Sequence, residues 1–395
     1  MKNGFKVSYH SIYMLLFCVF MVRPYYIQIS PLNRIWSGMT LLFSIISFMV
    51  LFKYNRLKDS LPCVLVGVLY VVSTALNERG NTPGAVSTFD QFALAYNAGL
   101  ITCCPGYNHK SLKVINWVVT MYLYIDIVCG FLDVGQYLGE LDLSATFFAY
   151  DNYALYYILP MLAVKWAISC WENHELQKRD WMCWGLCVLY KVKTMSLNAI
   201  AALFIFAFLY LVFKYFKKAQ RIINPKSAAA TVVLLLIGVH YFKIHNFFAE
   251  LIFALGRGTT LGYRTVIWEK TIPLLHNTPL WGYGKLSQGS FQTLVGFSPV
   301  FDLEANHPHN LILQIWFDMG LLGIAVYTNL IHKSIQAINF LKAPVKNVCS
   351  CGIIAFFMAG FLDGYPYITT FYLMLSLIRR IGAIPYEAKK HEQQD

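Results

Sequence analysis

Apolar and polar positions alternate along this chain over long stretches. Apolar runs, many of about 18–20 residues, recur from one end to the other, the length a helix needs to cross a bilayer core of roughly 30 Å. They fall at residues 10–22, 35–52, 61–76, 86–104, 112–132, 153–171, 181–190, 197–213, 228–241, 311–331, 349–362 and 367–384. Backbone groups in hydrocarbon must pair within their own segment, so these runs predict helices. The period-two alternation of a membrane barrel is absent. The pattern predicts an all-α polytopic membrane protein of about twelve spans, forming a single transmembrane domain over residues 1–395. The run at 86–104 is interrupted by Asp90, Gln91 and Asn97, and the run at 181–190 is cut short by Lys191 and Lys193. One long polar excursion, residues 243–307, separates the ninth span from the tenth, and a charged tail occupies 385–395.

Composition agrees: 57% of the residues are hydrophobic, 16% aromatic and only 13% charged. The net charge of +12 invites a nucleic-acid reading, but the placement of the charge excludes it. Roughly 21 of the 32 lysines and arginines fall in turns on one side of the spans and roughly 9 on the other, the asymmetry that marks cytoplasmic loops. This predicts a multi-pass protein of a cytoplasmic membrane with both termini cytoplasmic and the 243–307 excursion outside. The basic start, MKNGFK, leads into apolar sequence without a small-residue cleavage site and reads as an uncleaved first span. The ten cysteines lack metal-finger spacing and read as small apolar residues with reduced thiols. Arg23, Arg34, Arg79, Lys191, Lys193, Arg257 and Arg264 lie on the outer side against the trend. As a set they are candidates to meet an anionic ligand, the alternative for each being a lipid-headgroup anchor.

Within the long excursion, Arg264, Trp268 and Thr271 share a helical face, and Val266, Ile267, Ile272, Leu274 and Leu275 recur at helical spacing. This predicts a helix along or dipping into the outer membrane surface. The tenth span opens on His307-Pro308-His309-Asn310. At 100° per residue, Leu313, Trp316, Gly320 and Gly323 lie within about 40° of His309. Glycines on a membrane helix admit close neighbours, so this stripe predicts a protein-facing surface with His309 at its wet end. The polar HPHN could simply terminate a helix at the water interface. A neutral histidine there could also act as a base, and His307 with His309 could hold a metal if Asp302 and Glu304 completed the ligand set.

His309-Asn310, nine residues, then Gly320-Leu321-Leu322-Gly323 resembles the H-[NSQ]-x9-G-x2-G signature of the O-antigen ligase and Wzy-type polysaccharide polymerase superfamily. Arg264 with Trp268, followed by Pro279-Leu280-Trp281-Gly282-Tyr283-Gly284, is similar to the family's R-x3-W and P-L-x-G-x-G stretch. The resemblance is strongest over residues 256–323. The family's Ser-Arg at the start of an inner span is missing, the comparable place reading Thr194-Met195-Ser196-Leu197-Asn198, which turns the expectation toward polymerase. The resemblance implies a GT-C-like fold and a metal-independent, inverting glycosyltransferase without cofactor. Its donor would be a polyprenyl-diphosphate-linked oligosaccharide, its partners a chain-length-regulating copolymerase and a flippase. It casts His309 as base and Arg264 as the cation on the diphosphate. Arg257, Arg79 and Arg23 would assist, Asn310 or Gln314 would orient the base or bind sugar, and Trp268, Trp281 and Tyr283 could stack on sugar rings, the alternative for these aromatics being the membrane-interface belt.

Two other readings compete, beside a membrane anchor or assembly scaffold, which would not need the His309-Asn310 to Gly323 stripe. A ligase would transfer the glycan to a terminal acceptor by the same chemistry. A flippase or transporter would show repeated halves and polar residues at mid-membrane depth; no repeat between halves is visible, and the cationic and imidazole groups cluster at the outer boundary.

Overall fold

The computed structural model describes residues 9–28, 30–77, 85–103, 108–134, 146–149, 151–244, 246, 264–296, 307–364 and 367–384. Among these the regular structure is helical throughout. The helices are α1 (Tyr9–Val19), α2 (Tyr25–Gln28), α3 (Leu32–Lys53), α4 (Leu57–Leu76), α5 (Ala85–Leu100), α6 (His109–Phe131), α7 (Asp151–Asn173) and α8 (Lys178–Lys193). They continue as α9 (Leu197–Tyr215), α10 (Ala219–Ile222), α11 (Pro225–Phe242), α12 (Arg264–Leu274), α13 (Gln288–Val295), α14 (Leu311–Ile338), α15 (Ala343–Leu362) and α16 (Thr369–Ile381). Each of the twelve predicted spans coincides with a helix. Eight of these, α3, α4, α6, α7, α9, α11, α14 and α15, are long and apolar enough to cross a membrane.

The chain reverses at two ends of the bundle. One end carries the basic turns: Arg379 donates to the Asp59 carbonyl (2.8 Å), Arg380 pairs with the Asp59 carboxylate, and His109 lies 3.4 Å from Glu172. The other end carries α12, α13 and the segment between them. Asparagine caps set several starts. Asn108, Asn224 and Asn310 each accept two backbone N–H groups of the turn that follows, satisfying donors the helix cannot.

The centre of the bundle is α7, α15 and α16. α15 packs against α7 and α9, and α16 against α5 and α7. Around this centre, polar residues inside spans find protein partners rather than lipid. Arg23 Nη2 donates to both carboxylate oxygens of Asp90 on α5 (3.0 and 2.8 Å), and Asn97 links to Ser44 and to the Thr40 carbonyl of α3. Two of the interruptions in the apolar run at 86–104, Asp90 and Asn97, are therefore contacts that hold α5 to Arg23 and α3. The break expected at Lys191 does not occur: α8 continues to Lys193. Lys191 is buried with its ammonium 2.9 Å from the Tyr190 hydroxyl, and Lys193 reaches Asp133 at 2.6 Å. Both cations thus serve internal contacts.

α14 runs 28 residues but is not a straight rod. Gly320 has φ 64° and ψ −162°, a conformation open to glycine alone at low cost. The kink frees backbone groups that the segment after α12 takes up. Tyr283 N–H donates to the Phe317 carbonyl (2.6 Å), Gly284 N–H to Asp318 (3.0 Å), and Leu321 N–H to the Pro279 carbonyl (2.8 Å). A side chain at Gly320 would run into the backbone of Leu280 and Trp281. The glycine stripe predicts a close neighbour, which on a membrane helix is ordinarily another helix. At Gly320 it admits this loop instead, because the kink carries the helix out of the regular 100° register on which that expectation rests.

Candidate active site

Three chain segments meet at the end opposite the basic turns: the start of α12, the turn before α14 and the turn after α15. The turn before α14 is fixed from both sides. Asn310 caps α14 through its side-chain oxygen while its amide nitrogen donates to the Phe361 carbonyl of α15 at 2.9 Å. Trp268 of α12, buried, donates its indole N–H to the Pro308 carbonyl at 2.8 Å. His309 takes φ 50°, the left-handed region, which a β-carbon tolerates only when the surroundings impose it. Its amide donates to His307 Nδ1 at 3.1 Å, and the two imidazoles lie 3.9 Å apart at 32°.

Asp363, the first residue beyond α15, completes the cluster. Its Oδ1 lies 3.3 Å from His309 Nδ1 and 3.7 Å from His307 Nε2, and its Oδ2 lies 3.9 Å from an Arg264 terminal nitrogen. Arg264 also donates through Nε to the Leu362 carbonyl, and Gly364 N–H donates to Asp363 Oδ1 at 3.0 Å. Tyr156 donates to the Asp363 carbonyl at 2.6 Å. Asp363 and His307 are buried, whereas the side chains of His309 and Arg264 remain 20% and 21% exposed. The two groups suited to meet a substrate stand at the surface, on a support that is buried.

Electrostatics divide the roles. Burial alone would raise the Asp363 pKa. The hydrogen-bonding His309 imidazole and the nearby charges of His309, His307 and Arg264 outweigh it and hold the carboxyl at about 2. Burial, reinforced by His309, pushes His307 down to about 3, so it is neutral near pH 7. Because its Nδ1 accepts the His309 amide, the single proton of neutral His307 resides on Nε2. That N–H faces the Tyr153 hydroxyl at 2.5 Å. For His309, a carboxylate beside Nδ1 favours the tautomer protonated there and leaves Nε2 with its lone pair.

His307, His309 and Asp363 offer ligand atoms within 4.8 Å of one another. The donor chemistry does not suit a cation: one His307 nitrogen is already an acceptor for a backbone N–H, the other carries a proton, and the Arg264 guanidinium stands beside the carboxylate. Asp302 and Glu304, the other expected ligands, lie outside the described residues.

The remaining sequence candidates disperse. Arg257 and Arg79 lie outside the described residues. Arg23 is held by Asp90 through Nη2 and by Asn33 through Nη1. Gln314 donates to Asp318 Oδ2 at 2.7 Å, and Tyr367 donates to the same oxygen at 2.8 Å. Tyr283 is buried, stacked on Phe317 at 4.9 Å with its hydroxyl on the Leu274 carbonyl, so both it and Trp268 pack the loop onto the bundle instead of presenting rings. α12 accordingly sits on the protein, with Ile267, Trp268 and Thr271 buried. The sequence reading missed Asp363, whose only signal was an acid in a turn on the same side as His309.

Residues 183–328 match the family model described as O-antigen ligase. A Rickettsia prowazekii protein provisionally named a polysaccharide ligase is 31% identical over 87 residues, covering 20% of this chain and 21% of that protein. A Rickettsia conorii protein with the same provisional name is 26% identical over 109 residues, 26% of each chain. The chain thus aligns with between a fifth and about a quarter of the length of these relatives. The family region contains Arg264 and His309 and ends before Asp363.

Proposed function

We propose, from the match of residues 183–328 to the O-antigen ligase family and the geometry of the site, that the protein is a polysaccharide polymerase. It joins polyprenyl-diphosphate-linked oligosaccharide repeat units at the outer face of a bacterial cytoplasmic membrane, with both termini inside. The observation that carries this reading is the convergence of Asp363, His309 and Arg264. The acceptor hydroxyl gives its proton to His309 Nε2 as its oxygen bonds to the anomeric carbon of the donor. The bond from that carbon to the diphosphate oxygen breaks, and its electron pair leaves with the diphosphate. Asp363 stabilises the imidazolium that forms. Arg264 offers a planar, permanently charged fork to the phosphate oxygens as charge builds on them. The positive-inside distribution supports the outer face, and the Thr194–Asn198 departure from the family's Ser-Arg favours chain extension. The names of the Rickettsia proteins favour the second reading, a ligase that transfers the finished glycan to a terminal acceptor.

Complementation of a deletion strain separates the two. A polymerase deletion leaves single repeat units on the gel ladder of cell-associated polysaccharide, and the wild-type gene restores the ladder. A deletion with a normal but unattached ladder indicates the ligase, and lipid-linked repeats retained inside would overturn both.

A further inference from the structure

Away from the His309 cluster, a slot of about 390 Å³ opens between α3, α4 and α5. α3 and α4 both pack on α5 but barely touch each other, so they splay into two walls. Ile45 and Phe48 line one wall and Val64, Val68 and Val71 the other, over a floor of Phe92, Ala93 and Tyr96. Ile45, Phe48, Val68 and Phe89 are exposed along its rim, and the lining is almost wholly apolar. From Val64 to Val72 the slot is about 12 Å deep, close to half of a roughly 30 Å bilayer core.

A cation stands level with the outer end of the slot. Lys285 N–H donates to the Thr74 hydroxyl at 2.9 Å, and the Lys285 ammonium donates to Ser87 at 3.3 Å. Thr74 and Ser87 lie about 3 Å along the helix axes from the slot residues Val72 on α4 and Phe89 on α5, toward the outer helix ends. Beside them Arg23 and Asp90 neutralise each other, with Ser37 on Asp90 at 3.0 Å. Asp318 lies on the inner side of the same loop, held by Gln314 and Tyr367. Burial, with a smaller contribution from Arg23, lowers the Lys285 pKa against the opposing pull of Asp90 and Asp318, so an incoming anion would relieve the cost of the charged ammonium.

We infer that this slot binds one acyl chain of an anionic phospholipid, with the headgroup phosphate against Lys285. The depth selects the occupant: the slot accommodates a chain one leaflet long, and its charged mouth stands at the end where that leaflet meets water. The site does not depend on the reaction proposed above and uses none of its residues.

The test uses the purified full-length protein in phosphatidylcholine nanodiscs doped with phosphatidylglycerol bearing a photoreactive acyl chain. Label is expected on peptides containing residues 64–72 or 89–96, and unlabelled phosphatidylglycerol, but not phosphatidylcholine, competes it away. Lys285→Ala lowers the labelling about fivefold, the effect of one basic residue on an anionic lipid, and Lys285→Arg retains it. Val68→Trp, at an exposed wall position, blocks the labelling while the protein stays monodisperse. Labelling spread over all lipid-facing helices, equal competition by phosphatidylcholine, or stronger competition by polyprenyl phosphate would each overturn the inference, and each is read on the wild-type protein without any variant.

Discussion

Asp363→Asn removes one charge and almost no volume from the site. The carboxylate lies 3.3 Å from His309 Nδ1, where two unit charges at an effective dielectric of about 20 interact by about 5 kcal/mol. Arg264 draws on the same carboxylate at 3.9 Å, and the His309 side chain is 20% exposed. The contact therefore falls to the roughly 1.5–3 kcal/mol typical of a charged hydrogen bond, which corresponds to about a 10- to 150-fold fall in turnover. The asparagine can also present its amide N–H₂ to Nδ1, favouring the tautomer with no lone pair on Nε2, so the loss should lie toward the upper end. The assay is turnover of lipid-linked repeat units by purified protein in nanodiscs, with the acceptor concentration varied to separate kcat from KM. kcat should fall and KM should stay within about twofold, because the support group acts as charge develops. In a double-mutant cycle, Asp363→Asn should add little to His309→Ala, since both remove one unit. Multiplied losses, or an Asp363→Asn enzyme with more than half its activity at matched folding, would refute the assignment of Asp363 to His309.

Other outcomes follow from the same geometry. Arg264→Lys keeps the charge but loses the fork and the Nε contact to Leu362; turnover should drop at least about tenfold, with weaker donor binding measured in the same assay. Gly320→Ala places a side chain against Leu280 at φ 64° and should cost about 3 kcal/mol or more, read as early thermal aggregation and loss of protection of the 279–285 segment in hydrogen exchange. His307 is lowered to about 3 in the fold, so the unfolded chain binds its proton first as pH falls. Stability should therefore decline from about pH 6.5 toward pH 3, and His307→Gln should flatten that part of the melting profile. Asp363 is depressed to about 2; its contribution is present above about pH 4 and is lost only between about pH 4 and pH 2, which separates the two groups in one titration.

The spans were legible because lipid demands about the same apolar length from every crossing helix. Even the doubtful runs hold a helix, since Asp90 and Asn97 meet Arg23 and α3 rather than lipid. His309 and Arg264 were legible from residue type and spacing, and the structure brings them to one carboxylate. Asp363 was not, because it lies 54 residues beyond His309 and only the antiparallel return of α15 puts it there. Trp268 and Tyr283 looked like sugar platforms because they are aromatics in a polar segment. Their N–H and O–H groups instead satisfy the Pro308 and Leu274 carbonyls, a use that spacing does not reveal. The helical wheel placed His309 and Gly320 on one stripe but could not register a backbone that leaves the helix at Gly320.

The most direct test of the account is release of polyprenyl diphosphate from a defined lipid-linked oligosaccharide by the purified protein, with wild type, His309→Ala and Arg264→Ala compared at equal folding. The account predicts release coupled to lengthening of the glycan in the wild type and a fall of at least about 100-fold in both variants. Wild-type release with undiminished turnover by His309→Ala would contradict it and return His309 to the role of a polar helix terminus.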